Sequence, residues 1–260
     1  MEIDREAYLS RISAGPEDSF EPSRDSLELL QIKHLKNVPF ENLDIHWKRP
    51  IVLDTNSFYE KIVANKRGGF CYELNGLFEM LLRSMGFETR LVSARPFSKE
   101  NSFGPEFDHA AIIVSIGETQ YLVDVGFGDF AAGPLKIVAG EEQTDREGTF
   151  RIREVEQGAL VVEKKNNDEW RPEYIFGLQG RELVEFTDMC DFQQYSPDSH
   201  FTKGKLCSVL TTNGRKTLTD RNFIVTTNGE RVETPVGSEQ EFNKILFREF
   251  GIRRSEETSL

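Results

Sequence analysis

The chain has 260 residues, of which 32 are basic and 44 acidic, giving a formal charge of −12. With 38% hydrophobic and 29% charged residues it can bury a core, which excludes wholesale disorder, and its length suits two or three small domains sharing a cleft. The acidic balance argues against a nucleic-acid binder, which needs a positive field over the phosphates. No apolar run approaches the roughly 18 residues of a membrane span. Residues 1–6 lack the basic and apolar regions of a signal peptide, so the expectation is a soluble, cytoplasmic protein without nucleic-acid or membrane partners.

Asp4 can cap a short helix running to Ile12. Asp25 or Ser26 caps a second, with Leu27, Leu30, His34, Leu35 and Val38 on one face before Pro39 stops it. Asn56 or Ser57 begins a third, which ends at Gly68-Gly69. The clearest helix spans about 72–85. Its apolar residues Leu74, Leu77, Phe78, Leu81, Leu82 and Met85 recur at helical spacing, and Gly86 ends it. From Thr89 the period changes to that of strands. Segments 90–94, 109–116 and 120–125 are β-branched or aliphatic, with a hairpin turn at Gly117-Glu118. Segments 149–155, 160–164 and 174–178 continue the β pattern, separated by turn-rich pieces such as residues 165–168, and 181–189 suits another helix. Two Asn-Gly hairpins, at Asn213-Gly214 and Asn228-Gly229, precede a final helix. Ser238 and Glu241 form its capping box, and Phe242, Ile245, Leu246 and Phe250 its buried face. The order is helices, then a β-barrel or curled sheet, then a small α/β piece.

Three cysteines, Cys71, Cys190 and Cys207, are too scattered for a disulfide framework, and no CxxC pair supports a structural zinc site. Cys71 differs from the other two. It follows Arg67-Gly68-Gly69-Phe70 at the first turn of the strongest helix, where unpaired N–H groups and the helix dipole favour a thiolate. The two glycines let the backbone turn sharply and approach a ligand; a cysteine that merely packs is the plainer alternative.

A thiolate nucleophile needs a base and a group to orient it. His109 opens one strand and Asp124 closes the next. A two-residue hairpin loop opposes Ile116 to Thr119 and sets His109 across from Gly126, with Asp124 on the same side of the sheet. A loop of odd length places the two on opposite faces. His34 and His46 read as structural. Cys71, His109 and Asp124 together fit a Cys-His-Asp triad.

The segments Val38-Pro39-Phe40-Glu41-Asn42-Leu43, Arg67-Gly68-Gly69-Phe70-Cys71-Tyr72-Glu73-Leu74-Asn75, Asp108-His109, Asp124-Val125-Gly126-Phe127-Gly128 and Ser196-Pro197-Asp198-Ser199-His200-Phe201 resemble the arylamine N-acetyltransferases, in that family's order. The resemblance implies an α+β fold of three domains with a papain-like core. These are a helical bundle (1–87) carrying the nucleophile, a β-barrel (88–195) carrying His109 and Asp124, and an α/β lid (196–260). It implies acetyl-coenzyme A as donor, with no metal, and an arylamine, arylhydrazine or N-hydroxyarylamine as acceptor. Carried over by position, Cys71 is the acetylated nucleophile, His109 the general base and acid, and Asp124 its orienter. Gly126 and Gly128 let the chain pass close to the acetyl group or pantetheine arm, and Phe127 and Phe201 resemble apolar walls for the aromatic acceptor; each could equally be one of 20 ordinary phenylalanines. Between residues 199 and 219, Lys203, Lys205, Arg215 and Lys216 meet no acidic residue, a window that could serve the coenzyme A phosphates or be a solvated hairpin. A cysteine peptidase or transglutaminase-like enzyme would share the triad. A non-catalytic coenzyme A-binding protein would have no need of it.

Overall fold

The computed structural model describes residues 3–15, 21–98, 100–155 and 158–254; the first two residues of the segment read for a leader lie outside these. The helical third comprises α1 (Arg5–Arg11), α2 (Arg24–Asn37), α3 (Leu43–Trp47), α4 (Thr55–Tyr59), a π-turn (Glu60–Ala64) and α5 (Cys71–Ser84), with the two-residue strand β1 (Phe40–Glu41) between α2 and α3. Asp4 caps α1 as its sequence suggests, accepting from the Ala7 N–H at 3.0 Å. The other two starts differ. Ser23, in an extended conformation, caps α2 through the Ser26 N–H, which leaves Asp25 in the first turn; Asp54 caps α4 through the Ser57 N–H at 2.9 Å. The third helix also stops short of the glycines, because the chain widens into the π-turn and leaves at Asn65.

Eight antiparallel strands follow: β2 (Glu88–Pro96), β3 (His109–Ile116), β4 (Thr119–Val123), β5 (Leu135–Lys136), β6 (Glu142–Asp145), β7 (Gly148–Glu154), β8 (Leu160–Asn166) and β9 (Glu169–Phe176). Their order in the sheet is β5-β4-β3-β2-β9-β8-β7-β6. Gln143 on edge strand β6 nearly closes it into a barrel: its side chain accepts the Lys136 N–H of edge strand β5 at 2.7 Å and donates to the Lys136 carbonyl at 2.9 Å. The short, polar β5 and β6 carry no periodic signal and escape sequence reading. The 181–189 segment divides into a 3₁₀ turn (Leu183–Phe186) and α6 (Thr187–Tyr195).

The last sheet has the order β1-β10-β11-β12-β13, with β10 (Leu206–Thr211), β11 (Gly214–Thr219), β12 (Asn222–Thr227) and β13 (Glu230–Pro235). Asn228-Gly229 forms the turn as read, both with positive φ. In the other hairpin Thr211 pairs with Gly214, so Thr212-Asn213 is the turn and Gly214 already belongs to β11. A 3₁₀ turn (His200–Thr202) precedes this sheet, and α7 (Glu239–Phe250) covers it. Ser238 caps α7, but Glu241 accepts from the Gly237 N–H at 2.8 Å, so the reciprocal half of the capping box is displaced by one residue.

Three cores result. One lies between the helices and the outer face of β2–β4, one inside the barrel, and one between α7, α3 and the last sheet. Strand β3 serves two of them. Ala110, Ile112 and Val114 face the helices while Ala111 and Ile113 face the barrel interior, so the strand is buried on both sides. No helix among the described residues is long and apolar enough to cross a membrane.

The buried face of α2 contains His34, wedged between the rings of Tyr8 (6.0 Å) and Phe78 (5.0 Å), with neither ring nitrogen hydrogen-bonded. Burial, helped by the charge of Arg11, pushes its pKa from 6.5 down to about 3. The unfolded chain therefore binds one more proton over that interval, and stability falls as pH drops from about 6.5 towards 3. Between pH 7 and pH 4.5 the wild type should lose about 2–3 kcal/mol more than His34→Leu, a difference of several degrees in melting temperature. Thermal melts of both proteins at the two pH values test this; identical pH slopes would show that His34 is not buried neutral.

Candidate active site

The loop leading into α5 is fixed before the helix begins. Glu41 N–H donates to Gly69 O at 2.8 Å and Gly69 N–H to Pro39 O at 3.2 Å, so the loop lies against β1 as a short parallel bridge. A Cβ on Gly68 would stand 2.1 Å from the Pro39 carbonyl oxygen, so only glycine fits there. From the other side Arg11 of α1 donates to Ile62 O at 2.8 Å and Arg67 O at 3.0 Å.

Beneath the helix start, three carboxylates meet two cations, all largely buried. Lys61 of the π-turn reaches Asp44 and Glu73 at 2.7 Å each; Arg67 donates to Glu41 and Asp44 at 3.0 Å and stacks over Trp47 at 4.6 Å. Burial works against the Asp44 charge, but Lys61 and Arg67 outweigh it and hold its carboxyl below the usual range. At Glu73 burial wins and pushes the carboxyl up. Glu73 also accepts the Phe70 N–H at 2.7 Å, which ties the cluster to the residue before Cys71. Removing one partner from such a group typically costs about 3–5 kcal/mol, because a buried charge is left uncompensated.

Cys71 is the first residue of α5 and is buried. Burial pushes its thiol well up, with Cys190, Asp108 and Asp124 adding to the shift, while the backbone N–H of Ala110 on β3 acts in the opposite direction. His109 continues the inward-facing series of Ala111 and Ile113, and its ring meets Phe127 at 5.1 Å and Tyr174 at 5.6 Å. The two-residue hairpin loop exists, with Ile116 opposite Thr119, and it brings His109 and Asp124 to one side. His109 Nε2 lies 2.7 Å from Asp124 Oδ2.

Asp124 is only 2% exposed, yet its carboxylate is fully partnered. Tyr174 OH donates to Oδ2 at 3.2 Å, while Asn75 Nδ2 (2.9 Å) and Gly126 N–H (2.8 Å) donate to Oδ1. Asn75, one turn after Cys71, also donates to Ala110 O at 2.6 Å and accepts the Val125 N–H at 2.9 Å, stitching the helix to both strands of the hairpin. Helix, hairpin and barrel thus converge on one thiol, one imidazole and one carboxylate.

A family model described as N-acetyltransferase matches residues 24–258. The chain is 31% identical over 276 aligned positions to the arylamine N-acetyltransferase, pineal gland isozyme NAT-3, of Gallus gallus, covering 96% of this chain and 94% of that protein. The chain belongs to the arylamine N-acetyltransferase family. Its fold is similar to the solved arylamine N-acetyltransferase from Salmonella typhimurium, with a TM-score of 0.91 at 28% identity over 98% of this chain and 93% of that one. It is similar also to the Mycobacterium marinum arylamine N-acetyltransferase solved in complex with CoA, with a TM-score of 0.88 at 28% identity over 96% and 93%.

Within this family member the residues named as candidate coenzyme A contacts fall in different settings. Gly126 is packed backbone to backbone against Cys71, whereas Gly128, at φ +102°, faces open space. Phe127 leans on His109, and Phe201 stands nearly perpendicular to Phe70 at 4.5 Å. Lys203 is exposed, its Nζ 3.4 Å from Asp198 O. The basic window around it is neutralised by distant segments: Lys205 pairs with Asp220 and Glu239, Arg215 with Glu147, and Lys216 with Glu249. Only Lys203 of the four has no carboxylate partner among the described residues. Among those residues no group of three or more His, Cys, Asp or Glu could hold a metal ion.

Sequence reading assigned no role to Asn75 or Tyr174. The position of Asn75 four residues after Cys71 puts it on the same helix face, a usable signal. Tyr174 had none, because only the pairing of β9 with β2 brings it under His109.

Gly126 supplies a test of this packing. A Cβ there would meet Cys71 Cα at 2.9 Å and Cys71 O at 3.1 Å, both backbone atoms that cannot swing aside. Gly126→Ala should therefore move the helix start, lower the melting temperature by several degrees and slow iodoacetamide alkylation of Cys71 by at least about tenfold. Wild-type alkylation in that variant would mean the strand and helix are not in contact.

Proposed function

We propose that this chain transfers an acetyl group from acetyl-coenzyme A, through a thioester on Cys71, to an arylamine, arylhydrazine or N-hydroxyarylamine. The observation that carries the reading is the His109–Asp124 bond at 2.7 Å, placed where Gly126 presses against Cys71 at the start of α5. With Nε2 engaged by Asp124, Nδ1 is the imidazole nitrogen left to exchange protons with Cys71. An imidazolium at His109 is the counter-charge that a buried thiolate needs, and the first-turn N–H groups of α5 add to it.

Cys71 as thiolate attacks the thioester carbonyl, and the Cys71 backbone N–H, which has no intrahelical partner in the first turn, faces the developing oxyanion. Collapse breaks the bond to coenzyme A, whose sulfur takes the proton from His109. The amine then attacks acetyl-Cys71, His109 removes its proton, and Cys71 departs as thiolate. Two displacements replace one slow reaction between a thioester and a weakly basic amine. Phe127 beside His109 and Phe201 beside Phe70 are the apolar walls for the acceptor, Gly128 leaves room for the pantetheine arm, and Lys203 is the side chain available to the phosphates. We place the domain boundaries at 87/88 and 195/196. The separate cores favour this division, although β1 joins the last sheet and Cys190 of α6 packs in the helical core. A cytoplasmic setting suits the acetyl donor and three cysteines that are buried and free.

Brief exposure to acetyl-coenzyme A without acceptor should add one acetyl group, about 42 Da, to the wild type and none to Cys71→Ala. Double-reciprocal plots with both substrates varied should be parallel. Labelling of Cys190 or Cys207, or intersecting lines, would remove the covalent route.

Asp124→Asn tests the orienter. Asn75 Nδ2 and Gly126 N–H both donate to Oδ1, so the substitute must keep its carbonyl oxygen there and turn its NH₂ towards His109. That donor meets Nε2, drives the proton to Nδ1 and leaves no acceptor for the thiol. The same inversion of the histidine tautomer, made by an Asp-to-Asn change in a serine protease triad, costs about 10⁴ in rate. A loss of at least about 10²-fold in kcat/KM is expected here. Asp129→Asn is the control: that side chain is 76% exposed and bonds only to Lys164, at 3.0 Å, so its effect should be small. Comparable losses in the two variants would sink the assignment of Asp124.

A further inference from the structure

Asp108 immediately precedes His109, and the turn that delivers it is strained. Phe107 has φ +65°, a left-handed conformation costly for a bulky side chain. It is held there by its N–H on Ser93 Oγ at 2.7 Å and its carbonyl under Tyr72 OH at 2.9 Å. The same hydroxyl reaches Asp108 O at 3.3 Å, so the residue after Cys71 is tied to the residue before His109.

The Asp108 side chain leads elsewhere. Its Oδ1 accepts from Gln193 Nε2 on α6; Gln193 Oε1 accepts from Ser199 Oγ at 2.6 Å; and Ser199 Oγ accepts the Phe201 N–H at 3.2 Å. Gln193 and Ser199 are buried. On its far side the Phe201 carbonyl accepts from Asn42 Nδ2 and lies 3.0 Å from His46 Nε2, and the Phe201 ring rests on Phe70, the residue before Cys71. The path from Cys71 through Tyr72, Asp108, Gln193, Ser199, Phe201 and Phe70 is a closed circuit of contacts that begins and ends at Cys71, and none of its polar links belongs to the triad.

We propose that Asp108, Gln193 and Ser199 form a positioning relay that fixes Phe201 relative to Cys71 and His109, and thereby sets how well the acetylated enzyme holds an aromatic acceptor. This rests on the acetyl-transfer reading above and adds to it three residues that never touch the reacting atoms. Among the described residues the Asp108–Gln193 and Gln193–Ser199 side-chain bonds have no alternative partner, so removing a link loosens the Phe201 backbone on one side only. The remaining anchors, Asn42 and His46, keep the turn folded while the ring loses its fixed place.

The test separates the two half-reactions. Ser199→Ala and Gln193→Leu each break the relay; Asp108→Asn keeps an oxygen for Gln193 and should preserve it. Acetylation of Cys71 by acetyl-coenzyme A, followed by intact mass, should stay within about threefold of wild type in all three. Deacetylation of the acetyl-enzyme is then measured with two probes, aniline and hydrazine; hydrazine has no ring for Phe201 to hold. In Ser199→Ala and Gln193→Leu the aniline concentration for half-maximal rate should rise about tenfold, with hydrazine unchanged and Asp108→Asn like wild type. Circular dichroism and Cys71 alkylation verify that each variant is folded. If aniline saturation moves by less than about twofold in both relay-breaking variants, or aniline and hydrazine are impaired equally, the relay is overturned. Failure of the wild type itself to be acetylated would instead overturn the acetyl-transfer reading.

Discussion

A carboxylate sealed from water must be given donors, and the arrangement around Asp124 follows from that requirement. Its four partners come from α5, from β3, from β9 and from the backbone just beyond β4. No two can shift independently without leaving a buried charge under-satisfied. Asn75 makes the constraint mutual, since the same amide that supports Asp124 also holds the Ala110 carbonyl and the Val125 N–H. The hairpin can therefore dock on the helix in one register only, and that register is the one that sets Gly126 against Cys71 and Asp124 on His109.

The second buried cluster does for the helix start what the first does for the strands. Lys61 and Arg67 draw Glu41, Asp44 and Glu73 together, and Glu73 passes the constraint to the Phe70 N–H. The π-turn matters here. One extra residue per turn redirects the side chains of Glu60–Ala64, and Lys61 ends under α5 instead of in solvent. Phe70 also carries the ring on which Phe201 rests, so the buried charge cluster and the Phe201 turn meet at one residue.

How much of this was legible in the sequence depended on the range of each interaction. The β3–β4 hairpin was, because a two-residue Gly-Glu turn fixes pairing locally and the alternation of side chains then puts His109 and Asp124 together. Cys71 at a helix start was legible from the apolar spacing that follows it. The caps of α2 and α4 were misplaced by two or three residues, since Ser23 and Asp25 or Ser26, and Asp54 and Asn56 or Ser57, are all good capping residues and only the extended backbone at Ser23 and Asp54 distinguishes them. The basic window misled for a different reason. Asp198 and Asp220 flank it in sequence, and the fold adds Glu147, Glu239 and Glu249, which no one-dimensional pattern anticipates. Tyr174 stayed hidden because strand order β2-β9 skips six strands of chain.

The same distinction separates the buried thiols. Cys71 and Cys207 are both buried and both pushed well above the ordinary cysteine range, chiefly by desolvation, so burial alone cannot make one of them a nucleophile. What separates them is the set of groups able to compensate an anion once it forms. Cys207, the second residue of β10, has Glu41 opposing its anion and Arg67, already engaged by Glu41 and Asp44, favouring it, in a strand paired on both sides. Cys71 has a helix start, the Ala110 N–H and an imidazole that can carry the thiol's own proton. In the proposed reaction the thiol's proton passes to His109 and is exchanged within the pair. Desolvation then works for the chemistry. It penalises either charge alone more than it penalises the pair.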